Sequence, residues 1–124
     1  MKTLFYTFLV VVGFGSAAFA QEKSTIAVGP TTTEINSGKQ TGKFTFIMPQ
    51  GTTAEDVAHT TKYYTNYFTV DYKESSREAK ITMVSNDERS RAVIARFLVS
   101  NGVREVNISG TLVSVDELFE KYLK

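Results

Sequence analysis

The chain has 124 residues and no cysteine, and its 14 lysine and arginine residues almost balance its 13 aspartate and glutamate residues. This length predicts a single domain. The lack of cysteine excludes a disulfide framework, a thiol nucleophile and any cysteine-based metal site. A net charge of +1 argues against a nucleic-acid binder or a polybasic membrane binder, since those proteins need a concentrated positive surface.

The first twenty residues have the pattern of a secretory signal peptide. Lys2 precedes an almost wholly apolar run over residues 4–15, and Ala18-Phe19-Ala20 forms an A-x-A cleavage site. The apolar run is shorter than the roughly 20 residues that span a bilayer. We therefore expect cleavage after Ala20, export to the periplasm or the medium, and no stable membrane anchor in the cleaved chain.

Residues 21–42 carry few large apolar side chains and many Thr, Ser, Gly, Lys and Gln residues. This composition predicts a flexible or loosely attached arm, in which residues 25–28 are a candidate short strand. The folded domain is therefore expected to span residues 43–124.

From residue 43 onward, strand and helix patterns alternate. Residues 43–48, 68–73 and 79–85 alternate apolar and polar side chains, which predicts one strand followed by a β-hairpin. Between the first two strands, a capping box over residues 52–55 starts a helix. One face of that helix carries its core-facing positions, which are Val57, Thr61, Tyr64 and Phe68.

The second half of the domain repeats this pattern. A capping box at residues 85–88 starts a helix that ends at Asn101-Gly102, and residues 103–109 form a fourth strand that Gly110 breaks. A third capping box, at residues 114–117, starts a short last helix. The order β-α-β-β-α-β predicts an α+β, ferredoxin-like split βαβ sandwich: a four-stranded antiparallel sheet with two helices on one face, plus the short C-terminal helix.

The alternation also predicts which side chains face the helices. The expected core comprises Phe44, Phe46, Val57, Tyr64, Phe68, Val70, Ile81, Met83, Ile94, Phe97, Leu98, Val106 and Ile108. The opposite sheet face is expected to carry Thr45, Ile47, Thr69, Asp71, Lys80, Thr82 and Val84.

Residues 43–109 resemble the heavy-metal-associated domain of copper chaperones and mercury-binding proteins. That family carries a Gly-Met-x-Cys-x-x-Cys loop between its first strand and first helix, and the loop here is Ile47-Met48-Pro49-Gln50-Gly51-Thr52-Thr53. Met48 matches the family methionine, whereas Gln50 and Thr53 replace the two cysteines. The resemblance implies a degenerate member that has lost the thiolates by which the family transfers soft metal ions. Small-molecule-sensing regulatory domains of ferredoxin-like fold fit the element order equally well.

Two surfaces hold the candidate binding residues. His59, Tyr63 and Tyr67 recur at i, i+4 and i+8 beside the core face of the first predicted helix, and tyrosine is common in interface hot spots. The alternative is that the tyrosines cover the edge of the core. Ile47 and Val84 are bare aliphatic side chains on the sheet face opposite the helices.

Met48 and His59 form an alternative metal site, because thioether and imidazole ligands suit copper. The competing interpretation places Met48 in the core and His59 on the surface, since His59 is the only histidine and has no partner at metal-binding spacing.

No residue constellation predicts catalysis, since serine lacks a base partner and no glycine-rich phosphate loop is present. We therefore expect an exported, non-enzymatic binding or interaction module that uses no cofactor. Its partner would be another protein or a second copy of the chain. The alternative is a periplasmic protein that binds or transports a copper-type metal through Met and His ligands.

Overall fold

The computed structural model describes residues 24–124, so the predicted signal peptide and residues 21–23 of the predicted arm lie outside the described part of the chain. The six strands are β1 (Ile26–Val28), β2 (Lys43–Ile47), β3 (Phe68–Lys73), β4 (Glu78–Met83), β5 (Glu105–Ile108) and β6 (Thr111–Ser114). The helices are α1 (Thr32–Thr41), α2 (Ala54–Thr61), α3 (Glu88–Ser100) and α4 (Val115–Leu118), and α4 continues as a wider π-helical turn over Phe119–Leu123. Within residues 24–124, no helix has the length and apolarity needed to cross a membrane.

The strands form one open sheet in the order β3-β4-β2-β1-β5-β6. Neighbouring strands are antiparallel, except that β1 and β5 are parallel. The protein is therefore an α+β fold, and the predicted hairpin of β3 and β4 is confirmed. The predicted four-stranded sheet is corrected to six strands, because β1 lies between β2 and β5 and β6 extends the sheet beyond β5.

The prediction of a flexible arm is corrected for residues 26–41, which form β1 and α1. Helix α1 begins with a capping box: the Thr31 hydroxyl accepts a hydrogen bond from the Glu34 N–H (3.2 Å), and the Glu34 carboxylate accepts one from the Thr31 N–H (2.9 Å). Ile35 is the one large apolar side chain that α1 buries, and Ala27 is the one residue that β1 buries. Both elements therefore lack the periodic run of apolar residues from which a helix or a strand is recognised in a sequence.

Gly38 lets α1 lie directly against β2. A Cβ atom at this position would lie 2.6 Å from the Lys43 carbonyl oxygen and 2.6 Å from the Phe44 ring. Because no side chain larger than hydrogen fits there, Gly38 allows α1 to lie close to β2, and Ile35 supplies the apolar contact with the core.

Strand β6 follows β5 through a two-residue turn. Ser109 and Gly110 both have positive φ angles, 53° and 91°, as the two central residues of a type I′ hairpin turn do. The sequence interpretation of Gly110 as a strand break is therefore corrected: it is the turn that starts another strand.

Helix α2 is shorter than predicted and ends at Thr61. The Thr60 and Thr61 hydroxyls donate hydrogen bonds to the Val57 carbonyl oxygen at 3.0 and 2.6 Å, a side-chain interaction that competes with helix continuation. Residues 62–67 then form turns, and Phe68 begins β3. Tyr64 and Phe68 consequently reach the core from a turn and a strand, not from one helical face.

All the helices lie on one face of the sheet, and the predicted core is confirmed there. Ten of its thirteen residues are buried, and Tyr64, Val70 and Met83 are partly buried against them. Phe68 and Phe97 pack edge to face at 5.7 Å between ring centroids, which joins β3 to α3.

The C-terminal segment packs on the helical side of the sheet. Leu118 and Leu123 are fully buried. The buried Arg91 of α3 donates from Nε to the Leu123 carbonyl oxygen (2.7 Å), and from Nη1 to the Asn86 side-chain oxygen (2.9 Å). The side chains on the other face of the sheet, such as Thr45, Lys80 and Leu112, stay exposed, so no part of residues 24–124 covers that face.

Candidate functional site

The uncovered sheet face carries a strip of apolar side chains, hereafter the apolar strip, formed by Ile26, Val28, Ile47 and Leu112. Val28 lies opposite Ile47 on β2 and opposite Asn107 on β5, and Asn107 lies opposite Leu112 on β6. Ile26, Val28 and Leu112 are 41, 46 and 48 % exposed. Their alternation with the buried Ala27 and Val113 directs them away from the helices. The apolar strip thus runs from β2 to β1 and continues on β6, and the polar Asn107 of β5 lies between these two parts.

The rest of this face carries charges of both signs. On β3 and β4, Asp71 lies opposite Lys80 and Lys73 lies opposite Glu78, which are favourable cross-strand pairs. With Lys43 on β2 and Glu105 on β5, the face holds three basic and three acidic side chains. Its net charge is therefore zero.

The structure separates the two sheet residues that the sequence selected. Ile47 belongs to the apolar strip and lies opposite Glu78, at the start of β4. Val84 follows the other end of β4, where its N–H donates to the Tyr67 carbonyl oxygen (2.9 Å). Six residues of extended chain correspond to about 20 Å, so Ile47 and Val84 do not contact each other.

The predicted stripe of His59, Tyr63 and Tyr67 is interrupted because α2 ends at Thr61. His59 and Tyr63 still touch, with ring centroids 6.2 Å apart and planes at 85°. The Lys62 ammonium lies 5.5 Å from the centre of the Tyr63 ring. Tyr67 instead lies beside Val84 at the end of the sheet. His59 and Tyr63 thus form one exposed pair and Tyr67 belongs to another surface.

His59 also lines a cleft of about 750 Å³ between α2, the end of α3 and the residues that lead into β1 and β5. Its wall contains charged and polar side chains, notably Glu55, Asn101 and Arg104. Sequence analysis did not select these three residues. Asn101 and Arg104 follow Glu55 by more than forty residues and form no motif with it, so only the folded structure brings the three together.

The loop before α2 borders this cleft, and two hydrogen bonds from the β3–β4 hairpin hold it in position. The Tyr72 hydroxyl donates to the Thr52 carbonyl oxygen (2.9 Å), and the Glu74 carboxylate accepts from the Ala54 N–H (2.7 Å). Burial, reinforced by the negative charge of Glu74, raises the pKa of Tyr72 above its usual value. Tyr72 therefore keeps its proton and acts as a hydrogen-bond donor that positions the loop.

The two alternative metal ligands lie in different environments. Met48 is buried in the core, whereas His59 is exposed on α2. Met48 is not among the residues that line the cleft beside His59. Within residues 24–124, no three His, Cys, Asp or Glu side chains are grouped so that they could hold a metal ion.

Comparison of the chain with protein-family profiles, with curated proteins and with solved structures found no significant match. The resemblance to the heavy-metal-associated domain therefore stays a prediction that rests on the residues quoted above.

Proposed function

We propose that this protein is an exported, non-enzymatic interaction module that associates with a second copy of itself through the uncovered sheet face. The observation that carries the proposal is the apolar strip, in which three large aliphatic side chains stay more than 40 % exposed, two on β1 and one on β6, with β5 between these strands. Exposed apolar side chains that cluster on a regular surface favour a binding surface over chance exposure.

The charge of the face favours a second copy over a different partner. Three basic and three acidic side chains surround the apolar strip, so the face does not repel its own copy. A face with a large net charge would instead select an oppositely charged partner. In a two-fold pairing the apolar strip meets itself, and each charged group can meet one of opposite sign.

The size of the face predicts a weak dimer. Six strands about 4.8 Å apart and three to six residues long give a flat area of about 400–500 Å² per copy. A standard interface buries about 800 Å² per partner. Association should therefore appear only at micromolar to millimolar concentrations.

The edges of the sheet favour face packing over strand pairing. In the capping box of α4, the Ser114 N–H already donates a hydrogen bond to the Glu117 carboxylate (3.1 Å), so it cannot pair with another strand. On the other edge, β3 carries Asp71 and Lys73. Capped and charged edges discourage the addition of a strand from another chain.

We also propose that the sheet is a ferredoxin-like layout with β1 inserted. The order β3-β4-β2, with all neighbours antiparallel, supports this because it matches three of the four strands of that layout. In this view β5 is the fourth strand, and β1 has displaced it from β2.

Sedimentation velocity on residues 21–124, over about 10 µM to 1 mM, tests the proposed association in the range expected for a small interface. We expect a concentration-dependent rise in sedimentation coefficient that Val28→Lys or Leu112→Lys abolishes. Val99→Lys is the matched control, because Val99 is 54 % exposed on α3 and away from the sheet face. A monomer at every concentration, or association that all three variants retain, would contradict the proposal.

A further inference from the structure

Strand β3 lies at one end of the sheet, and its outer side has no neighbouring strand within residues 24–124. The Val84 N–H donates to the Tyr67 carbonyl oxygen (2.9 Å), and these residues continue the β3–β4 register as its next opposed pair. Hydrogen-bonded and non-hydrogen-bonded pairs alternate along an antiparallel ladder. The backbone N–H and C=O groups of Val70 and Tyr72 therefore point away from β4, and no other segment of residues 24–124 hydrogen-bonds to them.

A groove of about 370 Å³ lies beside this edge, between β3 and α2. The side chains of Val70 and Tyr72 line the groove from β3. Ala54, Ala58 and Lys62 line it from α2 and its C-cap, at positions i, i+4 and i+8. Both alanines are exposed, so the groove is open to solvent along the helix. The rise along α2 from Ala54 to Lys62 is about 12 Å, which matches about three to four residues of extended chain.

The two charged residues of β3 determine which strand this edge accepts. Asp71 lies opposite Lys80 and Lys73 lies opposite Glu78 on β4, and an added strand would place its own side chains on the other side of Asp71 and Lys73. A basic residue beside Asp71 and an acidic residue beside Lys73 form favourable cross-strand pairs, whereas like charges in these positions repel. The charges that discourage an arbitrary strand therefore favour a strand of complementary charge.

We propose that this edge binds an extended peptide segment of another protein by strand addition, in which backbone hydrogen bonds supply affinity and alternate side chains enter a groove. The peptide lies antiparallel to β3, and its apolar side chains enter the groove beside Tyr72 and Val70. From its N terminus to its C terminus, the bound segment reads acidic, apolar, basic, apolar. Its acidic residue lies beside Lys73 and its basic residue lies beside Asp71.

A second copy of this chain meets that pattern only in part. If β3 of two copies paired antiparallel about Tyr72, Asp71 of each copy would lie beside Lys73 of the other, but Glu74 would lie beside Val70 and the groove. A charged group is unfavourable in an apolar groove, and the Glu74 carboxylate already accepts a hydrogen bond from the Ala54 N–H (2.7 Å). A separate peptide with an apolar residue at this position therefore fits the groove better.

Titration of residues 21–124 with synthetic peptides, followed by two-dimensional ¹H–¹⁵N NMR, tests the inference. With the acetylated and amidated peptide Thr-Glu-Leu-Lys-Val-Thr, we expect saturable shifts of the Val70 and Tyr72 backbone amides. Thr-Glu-Leu-Glu-Val-Thr places an acidic residue beside Asp71 and should bind about fivefold more weakly, a difference that Asp71→Asn should remove. The first peptide methylated at its leucine nitrogen keeps every side chain but loses a backbone donor to β3, so it should not bind.

Variants of the chain locate the binding. Ala58→Leu fills the groove from an exposed position of α2 and should abolish peptide binding. Ser37→Leu is the matched control, because Ser37 is exposed on α1, and it should leave binding unchanged. The Val28→Lys variant should also bind the peptide normally, because the β3 edge is separate from the apolar strip. This inference and the proposed self-association therefore fail independently.

Four results would each overturn the inference. They are the absence of saturable shifts at Val70 and Tyr72, equal binding of the two charged peptides, undiminished binding of the methylated peptide, and undiminished binding by Ala58→Leu. A fifth is a shift of these amides with protein concentration alone, because the β3 edge would then pair with a second copy.

Discussion

Replacing Gly38 with alanine is expected to destabilise the protein, although glycine is among the poorest helix formers. At an exposed helical position, alanine is favoured over glycine by about 1 kcal/mol. At Gly38 the added Cβ would lie 2.6 Å from the Lys43 carbonyl oxygen, which belongs to the backbone of β2 and cannot rotate away. Reaching an ordinary contact of 3.4 Å requires α1 to move by 0.8 Å (3.4 − 2.6).

That movement would also loosen the packing of Ile35, which is buried on the same helix. Because the obstructing atom is backbone, the cost should lie in the upper part of the usual range for overpacking, at about 2–3 kcal/mol. Subtracting the gain in helix propensity of about 1 kcal/mol leaves a net loss of about 1–2 kcal/mol. In urea unfolding followed by circular dichroism, the midpoint should fall by roughly 0.5–1 M.

Ser37→Ala is the matched control, because Ser37 is exposed on the neighbouring position of α1. It should stabilise the protein slightly, by about 0.5 kcal/mol or less. If Gly38→Ala also raises the unfolding midpoint, α1 does not lie against β2 as described, and the correction of the predicted arm would be refuted.

Two further predictions concern α3 and its cap. Arg91→Met keeps the buried aliphatic volume but leaves the Leu123 and Asn86 carbonyl oxygens without a donor. It should lower the free energy of unfolding by about 2–4 kcal/mol in urea, and a change below about 0.5 kcal/mol would contradict this role. The backbone N–H of Ser90 donates to the Asp87 carboxylate and holds its pKa below 3.8. The stabilisation that Asp87 gives is therefore complete above that pH and is lost as the pH falls through the lowered pKa. Urea midpoints at neutral pH and near pH 3 should differ less for Asp87→Asn than for the unmodified chain, whereas an equal difference would exclude this contribution.

Sequence patterns predicted the elements whose burial is periodic. Phe44 and Phe46 on β2, and Ile81 on β4, alternate with polar residues. Helix α3 buries four large apolar residues, although its N-cap is Asp87 and not the predicted Ser85. Each of these elements buries enough side chains at regular spacing for its hydrophobic periodicity to be recognised in the sequence. Their predicted positions on the helical face of the sheet are confirmed.

The elements that the sequence did not reveal bury too little to produce a pattern. Helix α1 docks through Gly38 and Ile35, and β1 buries Ala27 within a parallel pairing to a strand almost eighty residues away. Local signals did exist: Thr31 and Glu34 have the spacing of a capping box, and Ser109-Gly110 is a two-residue hairpin turn. The low apolar content around Thr31 obscured the first signal, and the absence of a large apolar run after Gly110 obscured the second.

The binding roles of the residues selected from the sequence stay predictions, and the structure shows only where these residues lie. Ile47 and His59 each lie on a surface that the structure makes a candidate, the apolar strip and the cleft. The partners of Ile47 on the apolar strip include Val28, whose importance depends on β1 lying beside β2. Asn101 and Arg104 join His59 through tertiary contacts alone, so no spacing in the chain could indicate them.

The central claim is that the uncovered sheet face joins two copies of this protein. Sedimentation velocity of residues 21–124 and of the Val28→Lys and Val99→Lys variants tests it most directly. We expect a concentration-dependent dimer that is lost in the Val28→Lys variant and retained in the Val99→Lys variant. A chain that stays monomeric up to about 1 mM, the upper limit of the range expected for an interface of this size, or a dimer that Val28→Lys leaves intact, would contradict it.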